Sequence, residues 1–124
     1  MKQILCIEDD LDMLELFHVL LSRHGFTVKV ATKGQDGLDL IHQEKPDLVI
    51  LDIMMPGMDG WQVYQQMKDD ETTRDIPTIV VTAKSQLIDK VLGLEIAKVD
   101  DYIGKPFSPQ ELLDSIAKVL KITI

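Results

Sequence analysis

Leu48-Val49-Ile50-Leu51, followed at once by Asp52, is the stretch that decides the fold. Four consecutive apolar residues closed by a carboxylate read as a strand buried on both faces, since a strand with one wet face would alternate with polar residues. Ile79-Val80-Val81 repeats the pattern. Outward from these two runs, strands are expected at 3–7, 27–31, 48–51, 78–81 and 101–103, and helical periodicity fills the intervals. In the first helix, 11–23, Leu14, Phe17, Leu20 and Leu21 recur near the helical period, Asp10 is placed as its cap and Gly25 ends it. A second helix spans about 34–43 and stops before Pro46, a third runs from just after Asp59-Gly60 to about Lys68, a fourth covers about 86–95, and a fifth follows Ser108-Pro109.

Strands alternating with helices mean repeated βα units and a parallel sheet covered on both faces. Five of each suit an α/β, doubly wound, flavodoxin-like (βα)5 fold with strand order 2-1-3-4-5, whose ligand sits outside the carboxyl ends of the strands where the order reverses. Strands one and three are neighbours at that reversal. Residues just after Ile7 and just after Leu51 are therefore expected to face each other.

The 124 residues fit one domain, taken as 1–124, and their formal net charge of -8 argues against a broad nucleic-acid footprint. Scattered acids such as Asp69, Asp70 and Glu71 read as solubility charges. Cys6 is the only cysteine and sits in an apolar run, so it is expected to be an inert strand residue in a reducing compartment. The run from Ile4 to Ile7 is broken by Glu8-Asp9-Asp10 too soon for a signal peptide or a membrane span, and a cytosolic protein is expected.

The chemistry gathers at the strand ends. Glu8-Asp9-Asp10 and Asp52 converge where the fold puts its ligand, and like charges that close raise one another's pKa unless a cation compensates. With no His or Cys arranged for a softer metal, a hard, oxygen-seeking ion such as Mg2+ is the natural compensator. The fourth strand ends at Thr82-Ala83, and the fifth is followed by Gly104-Lys105-Pro106. A hydroxyl, free backbone N–H groups and an ammonium are what a phosphoryl group requires.

These residues resemble the response-regulator receiver family of two-component signalling over essentially the whole chain. The resemblance rests on Ile4-Leu5-Cys6-Ile7-Glu8-Asp9-Asp10, on the run from Asp47 through Asp52 to Gly60, on Val80-Val81-Thr82-Ala83-Lys84 and on Asp100-Asp101-Tyr102-Ile103-Gly104-Lys105-Pro106-Phe107. It implies that Asp52 accepts a phosphoryl group from a partner histidine kinase or phosphotransfer protein. Glu8, Asp9, Asp52 and the main-chain carbonyl of Met54 would hold Mg2+. Thr82 and Ala83 would bind phosphoryl oxygens, Lys105 would pair with them, Lys105-Pro106 would be cis, and Thr82 with Tyr102 would form the switch. The fourth helix, fifth strand and fifth helix, about 85–120, would then make the face that binds an effector or a second copy.

Met54 and Lys84 fall where the family tunes water access to the acyl phosphate, and an apolar Met54 implies slow self-dephosphorylation. Lys98-Val99 and Gly104 depart from the common pattern without removing a reacting group. His18, His24 and His42 lack an acid–base partner in the sequence and read as ordinary helix residues, so the chain is the receiver and not the phosphodonor. Trp61 is open to two readings, partner contact or packing. The rival class is a Mg-dependent aspartate-nucleophile phosphatase, which usually carries a second acid two residues after the nucleophile, where this chain has Met54.

Overall fold

The computed structural model describes residues 2–55, 57–83 and 99–124. Within them are strands β1 (Gln3–Ile7), β2 (Thr27–Ala31), β3 (Leu48–Asp52), β4 (Thr78–Ala83) and β5 (Asp101–Lys105), and helices α1 (Leu11–Arg23), α2 (Gly34–Glu44), α3 (Gly60–Asp69) and α4 (Pro109–Leu120). All four strand pairings are parallel, in the order β2-β1-β3-β4-β5 that the alternation implied. The helix expected over 86–95 lies outside the described residues, as do Lys84 and Lys98.

The period of two along each strand sorts the core into two layers. Ile4, Cys6, Leu48, Ile50, Ile79, Val81 and Ile103 face α1 and α4, meeting Phe17, Leu21, Leu112 and Ile116. Leu5, Ile7, Val49 and Leu51 face the other way, onto Leu38 and Ile41 of α2 and Val63 and Met67 of α3. Every residue of β3 is buried, as its unbroken apolar run requires of a central strand.

Helix ends follow local chemistry. Asp10 caps α1, its carboxylate accepting from the N–H groups of Asp12 and Met13 at 3.0 and 3.3 Å. Beyond that helix Gly25 turns the chain at φ +86°, a conformation costly for any residue with a side chain. Helix α3 begins at Gly60 itself, one residue earlier than the sequence suggested, because Asp59 and Gln62 form a reciprocal capping box that draws Gly60 into the first turn. Ser108 and Glu111 build the same device ahead of α4.

Three strands outrun their apolar runs: β3 includes Asp52, β4 reaches Ala83 and β5 reaches Lys105. Hydrophobic pattern marks where side chains are dry, whereas the ladder of backbone hydrogen bonds continues into the polar ends. Those ends carry the groups singled out above. Ile7 pairs with Leu51, Thr82 with Gly104 and Ala83 with Lys105, which fixes the polar tips side by side. No described helix is long and apolar enough to cross a membrane.

Leu112 is fully buried beneath α4, while Ser108 acts only at its start. Leu112→Ala is expected to cost about 3 kcal/mol and Ser108→Ala about 1 kcal/mol, read from urea unfolding. Equal losses would contradict this division between core and cap.

Candidate functional site

The reversal of strand order brings β1 and β3 together, so Glu8 and Asp52 leave the sheet next to each other. Both are buried, at 1% and 5% exposure, while Asp9 stands at the surface. Carboxylate oxygens of Glu8, Asp9 and Asp52 all lie within 4.8 Å of one another. The backbone locks this arrangement. Glu8 N–H donates to the carbonyl of Ala31 at 3.0 Å, Asp9 N–H to Glu8 Oε2 at 3.0 Å, and Met54 N–H to Asp52 Oδ1 at 3.1 Å.

From β5, two strands away from β3, Lys105 reaches across the pocket. Its ammonium pairs with Glu8 Oε1 and stands 3.7 Å from Asp52 Oδ2. Burial drives the Glu8 carboxyl up to about 7, and the neighbouring Asp52 adds to this more than Lys105 takes away. Asp9 is also raised, by desolvation first and by Glu8 second. Among the described residues one ammonium faces three carboxyl groups, which leaves this part of the site short of positive charge. Its oxygen-only donor set suits a hard divalent cation of the Mg2+ kind.

Thr82 stands at the end of β4 with its side chain wholly buried, and its hydroxyl has no hydrogen-bond partner among the described residues. A buried hydroxyl left this way costs free energy unless a ligand or water supplies the partner. Ala83 is exposed beside Lys105, the Lys105–Pro106 peptide is cis, and the Tyr102 side chain is half exposed on the edge strand. The Met54 side chain is exposed, so it contributes no dry packing at the site.

Glu8, Asp9, Asp52, Thr82 and Lys105 are thus gathered at adjacent strand ends. What the sequence did not disclose is the direct pairing of Lys105 with Glu8, groups 97 positions apart. The histidines also differ from expectation. His24 caps α1 rather than lying within it. His42 has an acid partner in space: its Nε2 is 2.9 Å from Asp70 Oδ2. Hydrogen bonds from the Thr72 N–H and hydroxyl, then from His42, pull the Asp70 carboxyl down to about 2. Asp70 is therefore a structural acid tying α2 to the segment after α3, not a scattered solubility charge. Trp61 packs edge-on to Tyr64 with ring centroids 6.2 Å apart and lies against Ile53 and Val80, the contacts that the packing reading requires. Cys6 is fully buried, and burial pushes its thiol far above its ordinary range.

Because Glu8 titrates at about 7 in the fold against an ordinary 4.5, the folded form holds a proton that the unfolded chain has released between those values. Stability without divalent ions therefore falls as pH rises through that window. The Asp70 shift acts in the opposite sense but at lower pH. In chelator, the urea midpoint is expected to be higher near about pH 5.5 than near about pH 7.5, and Glu8→Gln is expected to flatten the difference. A wild type as stable at the higher pH as at the lower would refute the assignment.

Residues 4–117 match the sequence profile of the response regulator receiver domain. The chain is 42% identical over 122 residues to the probable transcriptional regulator ycf27 of Guillardia theta, covering 98% of this chain and 46% of that protein. It therefore spans less than half the length of this relative. Among solved structures it resembles a putative response regulator from Chloroflexus aurantiacus J-10-fl, at 31% identity and a TM-score of 0.88, covering 97% of this chain and 98% of the other. At 23% identity and a TM-score of 0.87, over 97% and 98% of the two chains, it shares the fold of the receiver domain of sensor histidine kinase PA1611 from Pseudomonas aeruginosa PAO1, which has a magnesium ion coordinated in its active-site cleft. With a family match across most of its length and the strand order of that fold, the chain belongs to the response regulator receiver domains of two-component signalling.

Proposed function

We propose that residues 1–124 form a receiver unit in which Asp52 accepts a phosphoryl group from a phosphohistidine on a partner histidine kinase or phosphotransfer protein in the cytosol. What supports this reading is that the carboxyl groups of Glu8, Asp9 and Asp52 and the Lys105 ammonium meet at the strand ends, while Thr82, paired in register with Gly104 next to Lys105, carries a buried hydroxyl with no partner among the described residues. Carboxylates alone would suit a cation. The added hydroxyl and ammonium suit a group with anionic oxygens.

In this reading Asp52 attacks phosphorus through its carboxylate, an O–P bond forms as the P–N bond to imidazole breaks, and the electron pair leaves with the ring nitrogen, which takes up a proton. Glu8, Asp9 and Asp52, with the Met54 main-chain carbonyl, would hold Mg2+, which supplies charge compensation for the phosphoryl oxygens when bound. Met54 N–H orients the Asp52 carboxylate through Oδ1. The Thr82 hydroxyl and Ala83 N–H donate to the phosphoryl oxygens. Lys105, already 3.7 Å from Asp52 Oδ2, balances their charge.

The switch follows from the same hydroxyl. Drawing Thr82 onto a phosphoryl oxygen relocates a buried group on β4, and Tyr102, half exposed on the adjoining strand, then moves toward the space it leaves. The surface around β5 and α4 is the face that an effector or a second copy of the chain would read. An exposed, apolar Met54 does not orient an attacking water, so the acyl phosphate is expected to hydrolyse slowly.

With Mg2+ and acetyl phosphate, intact-mass measurement is expected to show one added phosphoryl group on the wild type and none on Asp52→Asn. A chelator is expected to abolish the addition, and Thr82→Ala to slow it by about 10-fold or more. Phosphoryl addition persisting in Asp52→Asn would overturn the reading, and steady phosphate release without accumulation would favour the phosphatase class.

A further inference from the structure

Two helices begin with glycine beside the site, and in neither case does backbone conformation explain it. Gly60 opens α3 and Gly34 opens α2, both without a positive φ, and helix propensity alone would favour alanine at either position. Space gives the reason. A Cβ on Gly60 would lie 2.4 Å from the main-chain oxygen of Asp52, 2.5 Å from the Ile53 Cα and 2.9 Å from the Asp52 carbonyl carbon. A Cβ on Gly34 would lie 2.8 Å from the main-chain oxygen of Met58, with the Met58 Cγ and a Val63 methyl both at 3.0 Å. The closest atoms at both places are backbone, which cannot swing aside as the tip of a long side chain would.

The two contacts fall at opposite ends of one segment. Gly60 presses on Asp52 and Ile53 and also donates its N–H to the Ile53 carbonyl at 3.2 Å. Gly34 presses on Met58, at the far end of the loop. Between them lie the Asp52 carboxylate and the Met54 main chain, whose N–H holds that carboxylate. We propose that Gly60 and Gly34 are positioning residues for the site: the two helix starts clamp the chain at Asp52-Ile53 and at Met58, and the missing side chains set where Asp52 and the Met54 carbonyl stand. Helix α2 supplies no carboxylate or phosphoryl ligand, yet it acts on the site through Met58. This rests on the reading of the pocket as a Mg2+ and phosphoryl site.

The clamp makes a prediction that a merely structural glycine does not. Mg2+ affinity would be measured by calorimetry on folded wild type, Gly60→Ala, Gly34→Ala and Gly25→Ala, with the folded fraction checked by circular dichroism. Gly25 is the control, since its φ of +86° makes alanine strained although a Cβ there meets nothing within 4 Å. Gly60→Ala is expected to weaken Mg2+ binding by about 10-fold or more, and Gly34→Ala by several-fold. Gly25→Ala is expected to lose stability but keep the wild-type affinity. At saturating Mg2+, Gly60→Ala is also expected to take up phosphoryl from acetyl phosphate more slowly. Wild-type affinity in folded Gly60→Ala, or an equal loss in Gly25→Ala, overturns the clamp while leaving the site reading intact. If Gly60→Ala does not fold, Gly34→Ala decides by the same comparison. A wild type that binds no Mg2+ overturns the site reading and the clamp together.

Discussion

Glu8 and Asp52 are two carboxyl groups taken almost wholly out of water at neighbouring strand ends, and among the described residues Lys105 is the cation that reaches both of them. Removing charged groups from water carries a large penalty that pairing must offset, and one ammonium does not balance these two acids together with Asp9. The rise of Glu8 to about 7 expresses that shortfall. Among the described residues the site is therefore short of positive charge, and this is what suits it to the divalent cation of the proposed reading. The fold makes such a site tolerable because its apolar content, packed on both faces of the sheet, stabilises the structure elsewhere.

The sheet's contribution is geometric. Reversal of strand order puts β1 against β3, and the parallel ladder carries every strand's carboxyl end to the same edge. Backbone then holds the acidic groups through hydrogen bonds from the N–H groups of Asp9 and Met54, while the half-exposed Tyr102 stands on the edge strand. A receiver needs this contrast. In the proposed reading the reacting carboxylate is fixed for the chemistry, and the reporting surface has somewhere to go.

Much of this was legible in the sequence because it is local. The apolar runs at 48–51 and 79–81 announced central strands, Asp10 announced the start of α1, and acids following two strands announced a pocket once the strand order was inferred. Less legible was whatever depends on distance through space. Pattern ends at the last apolar residue, so Asp52, Thr82 and Lys105 appeared to follow their strands when they lie within them. The pairing of Lys105 with Glu8, and of His42 with Asp70, joins elements that no spacing rule connects. That Thr82 hides a hydroxyl with no partner among the described residues, or that Gly60 abuts the carbonyl of Asp52, depends on packing at the scale of an ångström.

The central claim is that Asp52, Thr82 and Lys105 converge on one tetrahedral group. A crystal structure with Mg2+ and beryllium fluoride, a mimic of the acyl phosphate, measures this directly. The account predicts the mimic on the Asp52 carboxylate, with Thr82 Oγ1 and Lys105 Nζ both within hydrogen-bonding distance of its fluorines. A mimic seated on another carboxylate, or a Thr82 hydroxyl that makes no contact with it, would contradict the account.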